Sequence, residues 1–307
     1  MQSLTVVVPA YNEAAVLPAF HQRIMAVLDA LPLAGRVLYV DDGSADNTWS
    51  MIDALAAADP RVTALKLSRN FGKEAAMTAG LDRADADAVV VIDADLQDPP
   101  ELIPALLERA REGYDVVYAT RAERDGESRV KRFTSAAFYR VMERLSDTPV
   151  PRDTGDFRLM SRRAVLALRS LRERQRFMKG LFAWVGYRQT AVIYRRDARA
   201  AGQTKWNYWR LTNLAIEGLT SFSTAPLRLA TWVGMSAALL AFIYAIWVLL
   251  KVLVWGDPVR GYPTLMVVIL FLGGAQLMAL GVIGEYVGRT YSESKQRPIY
   301  FIDEERG

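Results

Sequence analysis

The chain has 307 residues, a formal net charge of +4 and no cysteine, which excludes a disulfide framework and gives an oxidising compartment no support. Its single histidine, His21, excludes a multi-histidine metal cluster and argues against a Ser-His-Asp triad. Hydrophobic residues make up 51% and the mean hydropathy is +0.07, high for a purely soluble protein, with the apolar excess gathered towards the C-terminal end.

The mild basic bias suits phosphorylated substrates or an anionic membrane surface. No zinc spacing, RNA-binding signature or basic low-complexity tail points to nucleic acid. The first residues, Met1-Gln2-Ser3-Leu4, run straight into a strand and lack the basic start and cleavage site of a signal peptide.

In chain order, short β-branched runs at 4–9, 37–40, 62–67, 88–92 and 116–119 predict buried strands. Helical periodicity fills 15–31, 48–58, 73–84 and 101–112 between them. Pro18 falls in the opening turns of the first helix, where a kink costs little. The alternation predicts an α/β fold, a mostly parallel sheet covered by helices on both faces. Ligands of such sheets bind beyond the carboxyl ends of the strands, and the unusual polar residues gather there.

The first strand ends in Pro9-Ala10-Tyr11-Asn12-Glu13. Tyr11 can stack on a nucleobase and Glu13 can accept hydrogen bonds from base or ribose, although Asn12 and Glu13 would also serve simply to start a helix. The second strand ends in Asp41-Asp42-Gly43-Ser44. Capping explains Asp46, but two consecutive acids at the ligand end exceed that need, and Asp42 shares the acceptor reading of Glu13. The third strand leads into Ser68-Arg69-Asn70-Phe71-Gly72-Lys73-Glu74. Free backbone N–H groups and Lys73 can meet a phosphate or ribose there; an ordinary loop is the competing reading.

The fourth strand carries the strongest signal, Asp93-Ala94-Asp95-Leu96-Gln97-Asp98. Alternate side chains of a strand point the same way, so Asp93 and Asp95 can converge, and two carboxylates that close favour a cation. An all-oxygen set suits Mg²⁺ or Mn²⁺, with Gln97 as a third donor and the phosphates of a nucleotide diphosphate completing the shell. Asp98 reads as a helix cap. Arg121 follows the fifth strand, and a basic amphipathic helix is predicted at 128–145. Its Arg129, Lys131 and Arg132 can clamp a second anion or simply face solvent. Asp156 enters a strand expected at 157–160, with Arg158 sharing its facing, which suits action on an acceptor. A last strand is expected at 189–194.

Near residue 200 the character changes. Lys205-Trp206-Asn207-Tyr208-Trp209-Arg210 mixes cations with the amphipathic aromatics of membrane interfaces. The runs 229–250 and 265–283 carry no charge, and the first would form a helix about 33 Å long, enough to cross hydrocarbon. The connection 251–263 is too short for a domain, so the pair predicts a hairpin with both ends on one side. Arg210, Arg228, Arg289, Lys295 and Arg297 flank that side, against Lys251 and Arg260 in the loop, which places the large domain in the cytoplasm. Gly273, Gly274, Gly281 and Gly288 would let helices approach closely, within the hairpin or between subunits.

Taken in order, the runs at 6–13 (VVVPAYNE), 41–44 (DDGS), 69–76 (RNFGKEAA), 93–101 (DADLQDPPE) and 155–160 (GDFRLM) resemble glycosyltransferase family 2. More narrowly they resemble its polyprenyl-phosphate glycosyltransferases, the group holding dolichol-phosphate mannose synthase and the bactoprenol glucosyltransferases. The likeness extends to 201–206 (AGQTKW), the hairpin and 284–291 (GEYVGRTY).

The resemblance implies a GT-A catalytic domain that moves one sugar from a nucleotide donor to a lipid phosphate with inversion. Asp93, Asp95 and Gln97 would hold Mg²⁺ or Mn²⁺. Pro9, Tyr11, Glu13, Asp41, Asp42, Asn70, Lys73, Asp93 and Ala94 would bind the nucleotide sugar. Asp156 would be the catalytic base, aided by Asp95, and Arg121, Arg129, Arg132 and Lys205 would bind the lipid phosphate. Thr204 stands where the family commonly has Ser, and it keeps the hydroxyl. A phosphate monoester has a second pKa near 6, so Asp156 is expected to position the acceptor or to stabilise developing positive charge at the sugar more than to take a proton.

The favoured donor is UDP-glucose, with GDP-mannose or a modified UDP-sugar as alternatives. A processive polysaccharide synthase and a non-catalytic nucleotide-sugar-binding scaffold are the competing functions. The expected organisation is a cytoplasmic GT-A domain at 1–205, an interfacial segment at 206–227, two transmembrane helices within 228–288 and a cytoplasmic tail at 289–307. The location is the bacterial inner membrane, multi-pass. Expected partners are the donor, a polyprenyl phosphate such as undecaprenyl phosphate, the bilayer, further copies of the chain and a downstream flippase or second glycosyltransferase, but no nucleic acid.

Overall fold

Among the described residues eight strands form one sheet, whose segments lie side by side in the order 189–194, 116–121, 154–161, 88–91, 3–10, 34–41, 62–67 and 302–306. The computed structural model describes residues 1–121, 154–174, 176–194, 225–255 and 261–307. The expected helix at 128–145, the segment 205–210 and the candidates Arg129, Arg132 and Lys205 lie outside the described residues.

The first half follows the expected alternation: β1 (Ser3–Ala10), α1 (Leu17–Asp29), β2 (Ala34–Asp41), α2 (Thr48–Ala58), β3 (Val62–Leu67), α3 (Lys73–Arg83) and β4 (Ala88–Val91). A 3₁₀ turn over Pro100–Leu102 leads into α4 (Ile103–Arg111), and β5 (Val116–Arg121) follows. β1, β2, β3 and β4 run parallel. Their side chains are mostly buried because helices cover both faces. Phe20, Ile24, Tyr39 and Ile52 fill one layer with Leu4, Val6 and Val8 of β1. Val7 points to the other layer, among Val40, Met77, Leu168 and Phe182. Gly80 lets α3 lie flat there, since a Cβ at that position would sit 2.3 Å from Val7 Cγ1.

Several boundaries differ from expectation. α1 begins at Leu17, with Pro18 in its first turn, because proline lacks only an N–H that has no partner there. The start expected at residue 15 is corrected accordingly. The strand expected at 157–160 is longer, β6 (Thr154–Ser161), and runs antiparallel to both β4 and β5. The helices α5 (Arg162–Ser170) and α6 (Met178–Trp184) were not expected; β7 (Gln189–Tyr194) was.

Two long helices, α7 (Ala225–Trp255) and α8 (Tyr262–Ser294), contain the two apolar runs and pack together. They leave a shorter connection than the 251–263 expected. Among the described residues one stretch, Phe271–Ser294, is long and apolar enough to cross a membrane, and Ala230–Tyr244 is a shorter apolar stretch. Residues 289–307 do not simply trail away: 289–294 complete α8, and β8 (Ile302–Arg306) pairs antiparallel with β3 at the sheet edge. Ion pairs fix that strand, Lys66 with Glu304 at 2.6 Å and Arg83 with Glu305 at 2.7 Å.

Candidate active site

The centre of the site follows from the antiparallel register of β4 and β6. Val90 pairs with Leu159 and Val91 with Arg158. Continued beyond the last pair, that register brings Asp93 opposite Asp156. The two carboxylates share one cation, because Lys73 Nζ lies 2.7 Å from Asp93 and 2.5 Å from Asp156 Oδ2. Lys73 reaches them from the first turn of α3, where sequence reading expected it to meet a phosphate or ribose. Its side chain is 42% exposed and that of Asp156 only 13%, so the cleft opens on the lysine side and Asp156 forms its floor.

Burial alone would raise the Asp156 carboxyl, but Lys73, with Lys179 and Arg158, brings it down to about 2. Asp93 is raised by its burial, which Lys73 only partly opposes. Glu74, beside Lys73, is pushed up to about 8 by burial and by the charge of Asp156, and its Oε2 has no hydrogen-bond partner. Neighbouring acids with separated pKa values are characteristic of sites that handle protons and charge. Asp156 is therefore ionised at neutral pH while Glu74 retains much of its proton.

Arg158 supports Asp156 from behind. It is only 3% exposed. Its Nη2 donates to Gly155 O at 2.9 Å and its Nε to Asp156 O at 3.4 Å. The guanidinium lies 3.7 Å from the centroid of the Phe182 ring on α6. Burial lowers it to about 10, so it stays charged. Sequence alternation put Arg158 on the same side as Asp156, but nothing in it revealed that the side chain turns back to clamp the backbone. The neighbouring Asp98 is no helix cap, correcting that reading: it is 2% exposed and accepts the Tyr194 hydroxyl hydrogen bond.

Beyond Asp93 the chain turns sharply. Leu96 has φ of +59°, a left-handed conformation unfavourable for a bulky residue, at an order of 1–3 kcal/mol. Asp95 holds the turn, accepting from Gln97 N at 3.1 Å and from Gln97 Nε2 at 2.5 Å. Two carboxylates and an amide suit a hard divalent cation that completes its shell with substrate phosphates, and rotating the Gln97 amide would present its oxygen instead. Lys73 already sets one positive charge on Asp93. Among the described residues no group of three His, Cys, Asp or Glu side chains gathers, so a metal here would rely on substrate oxygens.

On the β1–β2 side, Tyr11 is 41% exposed, Pro9 is buried and Asn70 is exposed. Asn12 adopts φ of 56° and ties the loops together, donating from N to Ser44 Oγ at 2.9 Å and accepting from Ala45 N at 2.8 Å. The backbone of Glu13 starts α1, its carbonyl accepting from Val16 and Leu17 N at 3.0 Å.

Both Asp42 oxygens accept from the next loop, from Phe71 N at 2.8 Å and Gly72 N at 2.9 Å. Asp42 therefore positions the loop carrying Lys73. Gly43, with φ of +66°, makes that contact possible, since a Cβ there would lie 2.6 Å from the Arg69 carbonyl carbon. Asp41 is fully buried, and its Oδ2 accepts from Ser44 N at 3.1 Å. Ala94 is buried too. The structure thus brings Lys73, Asp93 and Asp156 together, while Asp41 holds the turn at Ser44. Arg121 ends β5 by its backbone. His21 is structural, its Nδ1 lying 3.0 Å from the Tyr39 hydroxyl.

Comparison with known proteins finds the family described as Glycosyl transferase family 2 over residues 5–169 and the GtrB C-terminal hairpin over 225–290. An uncharacterized glycosyltransferase of Synechocystis is 51% identical over 301 residues, covering 98% of this chain and 95% of that protein. The bactoprenol glucosyl transferase of Shigella phage SfV is 48% identical over 303 residues, covering 99% of both chains. Among solved structures, the glucosyl-3-phosphoglycerate synthase of Mycobacterium tuberculosis, in complex with Mn²⁺, UDP-glucose and phosphoglyceric acid, matches with a TM-score of 0.50. It is 21% identical and the match covers 72% of this chain and 79% of that one. At that identity the likeness shows the GT-A fold alone.

Proposed function

This chain belongs to glycosyltransferase family 2, and from that premise we propose that it transfers a single glucose from UDP-glucose to a polyprenyl phosphate at the cytoplasmic face of the inner membrane, with inversion. The observation that carries the reading is the meeting of Asp93, Lys73 and Asp156 at the ligand end of the sheet, in a chain that also carries a long apolar hairpin. The relatives named as bactoprenol glucosyl transferases support glucose and the lipid acceptor.

Asp93, Asp95 and Gln97 are the residues that would hold Mg²⁺ or Mn²⁺, which when bound neutralises charge on the departing diphosphate. Tyr11, Pro9, Glu13 and Asn70 line the nucleoside end, while Asp41 and Asp42 hold its loops. Lys73 exchanges its carboxylate partners for donor oxygens as the donor enters. Asp156, ionised and fixed by Arg158, faces the attacking side and orients the acceptor phosphate, whose oxygen is already anionic near neutral pH. Arg121, Arg129, Arg132 and Lys205 are assigned to the acceptor phosphate.

The hairpin gives the chain two bilayer crossings. The return of β8 to the catalytic sheet supports that count, because an even number of crossings leaves both ends of the hairpin on the domain's side. The catalytic domain then occupies 1–205, joined by the returning strand β8, the interfacial segment covers 206–227, the membrane-crossing parts of α7 and α8 lie within 228–288, and 289–307 is cytoplasmic.

The test is incubation of the full chain in liposomes with undecaprenyl phosphate and a panel of UDP- and GDP-sugars, with and without Mg²⁺ or Mn²⁺. A lipid carrying one glucose, formed only with metal, is the expected product. Polymer would support a processive synthase instead, and donor binding without transfer would support a scaffold.

A further inference from the structure

We propose that the arginine-lined cavity where α8 rejoins the catalytic domain binds the headgroup phosphate of an anionic bilayer phospholipid. The cavity, about 370 Å³, is lined by Arg172, Arg174, Arg297, Pro298, Ile299 and Tyr300. That volume lies in the range of small-ligand pockets, roughly 300–1,000 Å³. Its lining carries three arginines and no acid, and shares no residue with the Asp93–Lys73–Asp156 cleft.

Two walls of the cavity are fixed by acids outside it. Asp82 accepts from Arg172 Nη1 at 2.7 Å and from the Tyr300 hydroxyl at 2.9 Å. Glu293, in the last turn of α8, accepts from the Arg174 backbone N at 2.7 Å. Glu173 lies near Arg176 and Glu293. These contacts leave the Arg174 guanidinium unsatisfied: its Nε and Nη1 are buried without a hydrogen-bond partner. Arg297 has no carboxylate partner among the described residues.

Buried donors without acceptors are costly, and an anion that draws the Arg174 side chain into the cavity would satisfy them. Arginine forks match the paired oxygens of a phosphate. Position selects the source. The apolar stretch Phe271–Ser294 ends just before Arg297. If α8 crosses the bilayer, as the proposed function holds, the cavity lies level with the headgroups of the cytoplasmic leaflet, where basic pockets gather anionic lipid. A lipid bound there would touch both the end of α8 and the α5–α6 loop, and so set the tilt of the catalytic domain over the membrane.

The test compares the full chain with an Arg174→Gln/Arg297→Gln variant in neutral detergent, adding phosphatidylglycerol, phosphatidylcholine or inorganic phosphate. Binding is read by native mass spectrometry and by the shift in unfolding temperature. Wild type should retain phosphatidylglycerol selectively, and the variant should bind it about 25-fold more weakly, from the usual contribution of two arginines near anionic lipid. An Arg174→Lys/Arg297→Lys variant should recover part of the binding. Sugar transfer in pure phosphatidylcholine vesicles should be equal for wild type and the Gln variant.

Equal retention of phosphatidylglycerol by wild type and the Gln variant would overturn the site. An unfolding shift given as well by inorganic phosphate would overturn the lipid source. Failure of the wild type to float with phosphatidylcholine vesicles would instead strike the hairpin reading on which this site rests.

Discussion

Replacing Arg158 by Met should separate the support of Asp156 from its chemistry. The guanidinium makes two hydrogen bonds to the carbonyls of Gly155 and Asp156 and lies over Phe182 at 3.7 Å. Hydrogen bonds of a charged group contribute about 1.5–3 kcal/mol each, the 3.4 Å one less, and a desolvated cation–π contact about 2 kcal/mol. Arg158 is 3% exposed, so solvent screens little of this, while the apolar Met side chain restores part of the packing. The net loss expected is about 3–5 kcal/mol, as for breaking other buried ionic arrangements, and on the order of 10 °C in unfolding temperature.

The catalytic consequence is larger in proportion. A carboxylate displaced by about 1 Å loses on the order of 100-fold in rate, so kcat should fall by that amount with the donor KM nearly unchanged. Arg158→Lys keeps the charge but has one nitrogen in place of a fork, and should fall between wild type and Met on both scales. Sugar transfer at saturating donor, measured well below each variant's melting range beside thermal unfolding, gives both quantities. A Met variant that melts early yet keeps kcat within about twofold would show that Arg158 packs the domain without positioning Asp156.

Lys73→Met removes the ammonium that lies on Asp93, so Mn²⁺ binding without donor, followed by electron paramagnetic resonance, should tighten about tenfold after allowing for its exposure; unchanged or weaker binding would count against Lys73 as a competing cation. Asp156→Asn should keep acceptor binding while losing turnover, and a near-normal rate would remove Asp156 from the mechanism. Glu74, raised from 4.5 to about 8 in the folded protein, binds more protons folded than unfolded between those values, so stability should fall as pH rises through that window. Denaturant midpoints across pH should show the slope flatten in Glu74→Gln, and an unaltered slope would refute the assignment.

The parts of the fold that could be read from the chain are those whose physics is local. The strands β1 to β5 announce themselves because burial on both faces demands unbroken apolar, β-branched runs, and Asp93 with Asp95 stands out because like charges at such a strand's end need a cation. β8 has no such signature. Its sequence, Ile302-Asp303-Glu304-Glu305-Arg306, is that of a solvated segment, and it is held by Lys66 and Arg83 from far earlier in the chain. The completion of the site is non-local in the same sense. Asp156 meets Asp93 only because β6 runs antiparallel with Arg158 opposite Val91. A slip of one residue would turn Asp156 to the other face of the sheet, leaving Lys73 with one carboxylate and Arg158 away from the carbonyls it clamps. The acidic pair therefore raises the expectation of a cation site from sequence, while the meeting of Asp93 with a second, separately tuned carboxylate depends on one strand pairing between distant segments.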